Sequence, residues 1–486
     1  MPAPAPLPSD DDLATPLVVD LDGTLILTDM LHESAIKRFR ADPLAALRWP
    51  FWLARGKAFL KQELTRGIAF DVAVLPYNEP LLAWLREQRA AGRHLVLCTA
   101  SDQTWAKAIA GHLGLFDEVI ASDGQRNLKA QAKAQALVER FGVRGFDYAG
   151  NAHADMAVWQ QARRAVVVNA PAGVVRQANA QFDVDQVFPA APGGLKIWGR
   201  ALRVHHWIKN VLLFVPILAG HHWFDWHAWG YLLWSFLAFS LCASAVYLAN
   251  DLMDLESDRH HPRKRRRPLA AGAIPVLAGA LVAPLLVLAS YAIAAWIGPA
   301  FLGWLTVYFL VTCAYSLGLK RLVLIDCLTL ATLYTLRVVA GSVAPGLSLS
   351  FWLLAFSGSL FLSLAFLKRY AELLVQQAAG KTKAHGRGYH VEDAPVLQIL
   401  GVGAGYMAVV VLALYLNSET VRKLYASPGV IGLAVPVMVY WISWLWLRAA
   451  RGEMHDDPLV FAFKDRASLL AGLLFAAAML VGTIAW

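Results

Sequence analysis

The chain has 486 residues, of which 57% are hydrophobic, and its mean hydropathy is +0.46. Soluble proteins of this length are rarely so apolar, so the composition argues against an ordinary soluble enzyme and indicates a membrane protein. Residues 1–195 hold 20 Lys+Arg against 21 Asp+Glu, whereas residues 196–486 hold 24 against 14. This split indicates two domains of different character, and the basic excess lies in membrane loops, which does not suggest nucleic acid as a partner.

Residues 13–187 are predicted to form a soluble α/β domain. Residues 1–12 are Pro-rich and acidic, without the basic and apolar regions of a secretory signal, and are predicted to be a disordered lead-in. Apolar strands are expected in PLVVDLDGT (16–24) and at 94–101, 117–122 and 165–170. Helices separate them, one around 127–142, and this alternation predicts a parallel sheet. The segment FPAAPGG (188–194) belongs to a predicted linker, residues 188–200.

The first motif, VVDLDGTL (18–25), places Asp20 and Asp22 just after a strand. Two such carboxyl groups can have different roles in a phosphoryl transfer: one attacks phosphorus, and the other protonates the leaving oxygen. The motif resembles that of the haloacid dehalogenase-like phosphatases, and Thr99, Lys129 and GNAHAD (150–155) follow in the family's order. The resemblance implies that Asp20 is the nucleophile, that Asp22 is the acid/base, and that Thr99 and Lys129 hold phosphate oxygens. It also implies a Mg²⁺ site made by Asp20, Asp22, Asn151 and Asp155.

One position departs from that family. The fourth motif normally has Asp where this chain has Asn151. The Asn carbonyl oxygen is still a ligand for Mg²⁺, but one negative charge is lost. An alternative therefore stays open, in which the soluble domain binds a phosphate group for regulation or docking without turnover.

Residues from about 26 to 90 are long enough for a helical cap between the first and second motifs. Within them, LRWPFWLARGKAFLKQ (47–62) mixes Trp and Phe with Arg and Lys. Two interpretations are open: the stretch lies on a membrane surface, or it packs its aromatic side chains inward as a cap helix.

Residues 201–486 are predicted to form an all-α membrane domain. A spanning helix needs about 20 apolar residues, which predicts nine spans, at 208–220, 230–249, 273–294, 298–316, 322–343, 350–367, 395–416, 428–447 and 467–486. With nine alternating spans, only Arg422 and Lys423 among the loop cations fall on the far side, and Arg337 lies within a span. The positive-inside rule then predicts an inner-membrane protein with the N-terminal domain and charged loops in the cytoplasm and Trp486 outside.

The end of the second span gathers charges of both signs in NDLMDLESDRHHPRKRRRPLAAG (250–272). Asp251, Asp254 and Asp258 are spaced i, i+3, i+7, which is one face of a helix. Three carboxylates there repel each other unless a cation binds among them. A Mg²⁺ ion that is also bound by phosphate oxygens of a substrate would offset this repulsion. The basic run 263–267 would meet the remaining charge of a diphosphate, although alone it also suits a headgroup anchor.

The NDxxDxxxD pattern resembles the first motif of the UbiA superfamily of intramembrane prenyltransferases. The further segments RVHHWIKN (203–210), DRHHPRKRRRP (258–268), YSLGLKRLVLID (315–326), FLKRYAELL (366–374), GRGYH (386–390) and RGEMHDDPLVFAFKDRAS (451–468) resemble its decaprenyl-phosphate phosphoribosyltransferase branch. That branch joins a polyprenyl phosphate to 5-phosphoribosyl diphosphate and releases pyrophosphate.

The resemblance implies roles for residues of the membrane domain. Asp251, Asp254 and Asp258 would hold Mg²⁺, with Asn250 positioning the group. Substrate contacts, mainly to phosphate and ribose, are predicted for Lys209, Lys264, Arg267, Tyr315, Lys320, Asp326, Arg337, Lys368, Arg387, Tyr389 and Asp457. A charge within a span, as at Arg337, is costly and usually functional. For Tyr315 and Tyr389, interfacial anchoring is an alternative.

Together the two halves predict a bifunctional enzyme of cell-envelope or exported-glycan synthesis. The membrane half would make a polyprenyl-phosphoryl ribose 5-phosphate, and the soluble half would remove the 5-phosphate. The alternative for the membrane half is transfer from a prenyl diphosphate to an aromatic acceptor. Polyprenyl phosphate, phosphoribosyl diphosphate and membrane lipid are the predicted partners, and a homo-oligomer stays open.

Overall fold

The structure is a computed structural model that describes residues 10–190, 193–380, 382, 387–418, 421, 425–454 and 457–484. Residues 1–9 of the predicted lead-in, Arg422, Lys423 and Trp486 lie outside the described residues. The chain divides into two compact units. The first contains Met1–Leu202 and Tyr247–Ala283, and the second contains Arg203–Val246 and Pro284–Trp486.

The first unit is built on a six-stranded parallel sheet, as the alternating pattern predicts. Its strands are β1 (Leu17–Val19), β2 (Leu95–Asp102), β3 (Glu118–Ser122), β4 (Asp147–Gly150), β5 (Ala165–Ala170) and β6 (Val184–Pro189), in the order β3-β2-β1-β4-β5-β6. All neighbouring pairs are parallel. β6 was not predicted as a strand, because this edge strand alternates half-buried and exposed residues and lacks a continuous apolar run.

Helices connect the strands and cover both faces of the sheet. Along β1, Leu17 and Val19 pack on one face with Leu81 and Ile109, while Val18 packs on the other face with Leu137. The α-helices of residues 10–201 are Asp10–Ala14, Met30–Ala41, Trp49–Ala54, Lys57–Thr65, Glu79–Ala90, Gln103–Leu113, Gln131–Phe141, Met156–Trp159, Ala172–Gln181 and Leu195–Ala201. Burial on both faces explains why the strands read as short apolar runs.

The rest of the chain is helical. Among the described residues, seven helices are long and apolar enough to cross a membrane: Trp226–Met253, Val276–Ile297, Pro299–Leu317, Ile325–Val343, Phe351–Ala378, Val391–Leu416 and Gly429–Ala450. The protein is therefore a multi-pass membrane protein. Shorter helices are Val204–Phe214 (3₁₀), Val215–Ala219, Leu255–His260, Lys264–Arg266 (3₁₀), Leu319–Arg321 (3₁₀), Pro428–Ile431, Pro458–Ala462 and Arg466–Val481.

The predicted count of nine spans is not confirmed. The first and last predicted segments form the shorter apolar helices Val204–Ala219 and Arg466–Val481 within the described residues. Most of the first is a 3₁₀ helix in which Lys209 and Asn210 are buried. These polar side chains have protein partners, which are described below. The segment therefore packs in the interior of its unit.

Candidate functional site

The candidate hydrolase site lies where three strands of the first unit end. Asp20 follows β1, Thr99 lies in β2, and Asn151 follows β4. β1 lies between β2 and β4 in the sheet, so the carboxyl ends of these parallel strands meet at one edge. Ligands of open parallel sheets bind at such an edge, where the chain connections diverge.

Asp22 is held by donors from two directions. Its carboxylate accepts hydrogen bonds from the backbone N–H of Met30 at 2.8 Å and from the Ser101 hydroxyl at 2.6 Å, and the Thr99 hydroxyl lies at 3.5 Å. Burial, followed by the nearby charge of Asp29, raises the pKa of Asp22 to about 7. Ser101 was not predicted, although its place two residues after Thr99 at the strand end would have indicated it.

The lysine at Asp20 is Lys133, not the predicted Lys129. Lys133 Nζ lies 2.6 Å from Asp20 Oδ1 and 2.8 Å from the Tyr148 hydroxyl, whereas Lys129 is exposed. The helix begins only at Gln131, which brings Lys133 into its first turn with a buried side chain. Burial opposes the charge of Lys133, but Asp20 and Asp155 outweigh it and raise the pKa of the ammonium group.

Asp155 and Asn151 form the other side of this site. Asp155 Oδ2 accepts hydrogen bonds from the backbone N–H groups of Asn151 and Ala152, each at 2.9 Å. The Asn151 amide packs against Gly23, where an added Cβ would lie 2.1 Å from its nitrogen. Burial raises the pKa of Asp20 to about 6, with Lys133 opposing and Asp155 adding to the rise.

The oxygens of this site fit Mg²⁺ by their chemistry. Asp20 and Asp155 offer carboxylate oxygens and Asn151 an amide oxygen, which are ligand types of a hard divalent cation. Within the part of the chain that the structure describes, no group of three or more His, Cys, Asp or Glu side chains is placed to hold a metal ion. A Mg²⁺ ion here would therefore depend on Asn151 and on oxygens of the substrate.

A lysine of the cap region also reaches this edge of the sheet. Lys61, on helix Lys57–Thr65, donates hydrogen bonds to the Ala100 carbonyl oxygen at 2.5 Å and to Asn127 Oδ1 at 3.1 Å. Burial lowers the pKa of its ammonium group, and Asp22 opposes this. The sequence placed Lys61 in the aromatic and basic stretch 47–62 and did not indicate these contacts.

The acid-rich motif of the membrane domain lies in the first unit and is not one continuous helix. Helix Trp226–Met253 ends before Asp254, and Leu255–His260 forms a separate short helix. Arg267 Nη1 lies 3.0 Å from Asp251 Oδ1 and 2.6 Å from Asp258 Oδ2. Two of the three predicted carboxylates are therefore joined by a guanidinium group, while Asp254 is half-buried at the break between the helices.

Asp258 keeps one oxygen suited to a cation. Within the described residues, Asp258 Oδ1 is buried without a hydrogen-bond partner, and the Lys264 ammonium group is 4.0 Å away. Burial raises the pKa of Asp258, and Arg267 opposes the rise. Carboxylate oxygens of Asp251 and Asp258 therefore fit a divalent cation. Asn250 is half-buried at the end of the long helix, and its carbonyl oxygen accepts from the Asp254 N–H.

Ion pairs connect the acid-rich motif to the hydrolase part of the same unit. Arg259 donates two hydrogen bonds to Glu33, at 2.6 and 3.2 Å, and both side chains are almost completely buried. Lys37 Nζ lies 2.6 Å from Glu256. Helix Met30–Ala41, which carries Glu33 and Lys37, is also the helix whose first N–H binds Asp22.

In the second unit, Asp457 joins two predicted lysines. Its Oδ2 accepts hydrogen bonds from Lys209 at 2.7 Å and from Lys368 at 2.8 Å. Burial opposes the negative charge, but the two lysines outweigh it and lower the pKa of Asp457. Asp457 also lines a cavity of about 310 Å³ together with His205, His206, Ile208, Val460, Phe463 and Lys464.

A second polar cluster of that unit surrounds Asp326, whose side chain is completely buried. It accepts hydrogen bonds from Tyr389 at 2.5 Å and from Arg387 at 3.4 Å, and Arg387 also donates to the Tyr315 hydroxyl at 3.1 Å. Arg369, which was not predicted, contacts Asp326 at 2.8 Å. The structure thus brings together four predicted residues from widely separated motifs.

The two remaining predicted residues, Arg337 and Lys320, also belong to the second unit. Arg337 is buried and donates to Asn210 Oδ1 at 2.8 Å and to the Tyr308 hydroxyl at 2.9 Å, so its charge has polar partners between helices. Lys320 is half-buried in the 3₁₀ turn Leu319–Arg321. The Arg337 guanidinium also lies 5.8 Å from the centre of the Tyr334 ring, and the Tyr334 hydroxyl donates to Asp457 at 3.4 Å. The substrate roles of Arg337 and Lys320 stay predictions.

Comparison with known proteins identifies both halves. Residues 211–464, over half of the chain, match the UbiA prenyltransferase family, and residues 17–158 match haloacid dehalogenase-like hydrolases. The uncharacterized protein y4nM of Sinorhizobium fredii is 39% identical over 97% of this chain and 91% of its own length. Nodulation protein NoeC of Azorhizobium caulinodans is 35% identical over 56% of this chain and 88% of its own length.

A third relative is the decaprenyl-phosphate phosphoribosyltransferase of Mycobacterium tuberculosis H37Rv. It is 38% identical over 187 residues, which cover 37% of this chain and 61% of that protein. The match with this relative is thus partial on both sides. The chain belongs to the UbiA prenyltransferase family and carries an N-terminal haloacid dehalogenase-like hydrolase domain.

Proposed function

We propose that the chain transfers 5-phosphoribose from phosphoribosyl diphosphate to a polyprenyl phosphate and then removes the 5-phosphate. The Lys209–Asp457–Lys368 cluster carries the proposal. Two ammonium groups share one carboxylate oxygen, which leaves a surplus of positive charge beside a cavity that also has Lys464 in its wall. A substrate with phosphate groups at both ends of a ribose needs more cationic partners than a prenyl diphosphate does.

In the transfer step, an oxygen of the lipid phosphate attacks the anomeric carbon of phosphoribosyl diphosphate. The bond from that carbon to the diphosphate oxygen breaks, and pyrophosphate leaves with the electron pair. The attacking phosphate is already an anion, so no general base is needed, and the chain acts by positioning and by electrostatic stabilisation. Lys209, Lys368, Lys264 and Arg267 bind phosphate oxygens, and Asp326 with Tyr389 orders the neighbouring helices.

Magnesium fits this scheme at two places. Asp251 and Asp258 in the acid-rich motif, and Asp20, Asn151 and Asp155 in the hydrolase site, are the residues that would hold it. A bound Mg²⁺ would neutralise charge on the departing diphosphate and on the transferred phosphoryl group. Asp254 and Asp22 are also predicted as metal ligands, and Asp22 has less support because its carboxylate accepts hydrogen bonds from Ser101 and Met30.

In the second step, an Asp20 oxygen attacks the phosphorus of the 5-phosphate and Asp22 gives its proton to the leaving 5-oxygen. Water then attacks the phosphoryl-Asp20 ester, Asp22 takes the proton back, and inorganic phosphate is released. Lys133 and Thr99 stabilise the phosphate oxygens. This step is supported by the 2.6 Å hydrogen bond from Lys133 to Asp20, by the 2.6 Å hydrogen bond from Ser101 to Asp22, and by the occurrence of both domains in one chain.

The test is incubation of the purified full chain in detergent with Mg²⁺, labelled phosphoribosyl diphosphate and polyprenyl phosphate, followed by mass spectrometry of the lipid. We expect lipid-linked ribose without its 5-phosphate from the wild type and from the control Asp183→Asn, whose side chain is exposed on the hydrolase domain. Asp20→Asn should retain the 5-phosphate.

Two results would change the proposal. A wild-type product that keeps the 5-phosphate would leave transfer intact and make the soluble domain a phosphate-binding module or a hydrolase of another substrate. Absence of any lipid-linked ribose would remove the transfer step and favour a prenyl diphosphate with an aromatic acceptor.

A further inference from the structure

Residues 43–57, here called the cap surface segment, have an unusual composition and exposure. The segment joins helix Met30–Ala41 to helix Lys57–Thr65 through the 3₁₀ helix Pro43–Arg48 and the α-helix Trp49–Ala54. It contains Arg48, Arg55 and Lys57 and no acidic residue. A surface segment of a soluble domain with only basic charges and many apolar side chains suggests a binding face.

Four of its large apolar side chains are exposed to solvent. Leu44, Leu47 and Phe51 are each more than 70% exposed, and Leu53 is 48% exposed. Of the segment, Ala45 is buried, and Trp49 and Trp52 are half-buried. The inward packing predicted for the aromatic side chains is therefore wrong for Phe51, which forms an exposed apolar surface of the first unit with Leu44, Leu47 and Leu53.

The segment begins beside the end of a membrane span. The Arg40 guanidinium donates a hydrogen bond of 3.0 Å to the carbonyl oxygen of Met253, the last residue of the span Trp226–Met253. Ile36, one turn earlier, packs against a cluster that contains Leu248 and Leu252. All of these residues belong to the first unit, and the cap surface segment starts three residues after Arg40.

We propose that the cap surface segment lies in the headgroup region of an anionic bilayer at the surface where span Trp226–Met253 ends. Leu44, Leu47 and Phe51 enter the boundary between headgroups and acyl chains. Arg48, Arg55 and Lys57 bind lipid phosphate groups, in the manner of interfacial amphipathic helices with a basic polar side. Three observations support this position at the bilayer surface. The apolar side chains are exposed, the segment has no acidic residue, and the helix before it contacts the end of a span. The proposal does not depend on the substrate proposed above.

The test uses the full chain in nanodiscs that contain phosphatidylglycerol. An environment-sensitive fluorophore is attached to Phe51→Cys and, as matched control, to Val143→Cys, which is an exposed apolar position of the same domain in the loop before β4. As a further control, the unsubstituted chain is treated with the fluorophore, which shows how far its own four cysteines react. Of these, Cys98, Cys242 and Cys327 are buried. Lipids with a spin label near the headgroup serve as quenchers.

We expect blue-shifted emission and quenching by the spin-labelled lipid at position 51 and neither at position 143. In a Phe51→Cys chain with Arg48→Glu, Arg55→Glu and Lys57→Glu, the quenching should fall several-fold, and an unchanged unfolding temperature would show that these exposed changes leave the fold intact. Emission at position 51 as solvent-like as at position 143 would overturn the proposal. So would shielding that appears only at two chains per nanodisc, because the surface would then bind a second copy.

Discussion

The buried ion pair between Glu33 and Arg259 is a sensitive point of the first unit. Glu33 accepts two hydrogen bonds from the Arg259 guanidinium and one of 2.6 Å from the Thr28 hydroxyl. The exposed fractions of the two side chains are 2% and 3%. Arg259 directly follows Asp258, so this pair anchors the acid-rich motif to the helix that also donates to Asp22.

Glu33→Gln keeps the shape of the side chain and removes its charge. Removing one partner of a buried pair leaves an uncompensated charge and costs about 3–5 kcal/mol. Each 1.4 kcal/mol is a tenfold change in an equilibrium constant, so local opening around Arg259 should rise by about 10² to 4 × 10³-fold. Since Asp258 adjoins Arg259, we expect weaker binding of diphosphate substrate as well, with a larger effect on KM than on kcat.

Hydrogen–deuterium exchange of the full chain in detergent measures this directly. Amides of residues 255–272 should exchange faster in Glu33→Gln, and those of β5 should not change. The matched control is Glu139→Gln, whose carboxylate is 57% exposed and 3.9 Å from Arg126. Exposed pairs of this kind contribute about 0–1 kcal/mol, so the control should exchange as the wild type does.

A double variant separates charge from packing. Glu33→Leu with Arg259→Met replaces the pair by apolar side chains of similar size, which is often neutral because no charge stays buried alone. We expect the double variant to exchange more slowly than Glu33→Gln at 255–272. Unchanged exchange in Glu33→Gln, or a double variant as fast as the single one, would refute the unpaired-charge reasoning.

Three further predictions concern single residues. Lys133→Gln should lower phosphate release by about 10²-fold through loss of a charge at the phosphoryl group, while Lys129→Gln should retain wild-type release. Gly272→Ala should destabilise more than Gly452→Ala in thermal unfolding: both have φ +71°, which costs about 1–2 kcal/mol, but only the Gly272 Cβ meets a carbonyl oxygen, at 2.4 Å. The lowered pKa of Asp457 contributes stability above the ordinary carboxyl pKa and loses it as pH falls through the folded value. Asp457→Asn should therefore lower the unfolding temperature equally at pH 8 and pH 6, and a difference that shrinks between these values would contradict the assignment.

The sequence alone predicted the parallel sheet and the position of most strands. Strands that are buried on both faces must be continuously apolar, and Leu17–Val19 and Leu95–Cys98 are so. The same holds for the seven long spans, because length and apolar composition are local properties that lipid requires. The ordered motifs also sufficed to identify both families, since their spacing in the chain is visible without a structure.

The residues at which helices begin and are interrupted could be located only in the structure. Lys129 and Lys133 lie four residues apart in a polar stretch, and only the start of the helix at Gln131 decides which of them reaches Asp20. Likewise, the i, i+3, i+7 spacing of three acids assumed an uninterrupted helix, whereas the structure has one helix ending at Met253 and another beginning at Leu255. Local backbone geometry of this kind depends on packing as much as on sequence.

Pairing between distant residues was decided by tertiary structure alone. Glu33 and Arg259 are separated by 226 positions, and Lys209 and Asp457 by 248. Neither residue of such a pair carries a local signal for the other, because charged side chains occur throughout both loops and helices. Composition, periodicity and motif order therefore determined the two domains and their families, whereas the contacts between charges, which control each candidate site, arise only when the chain folds.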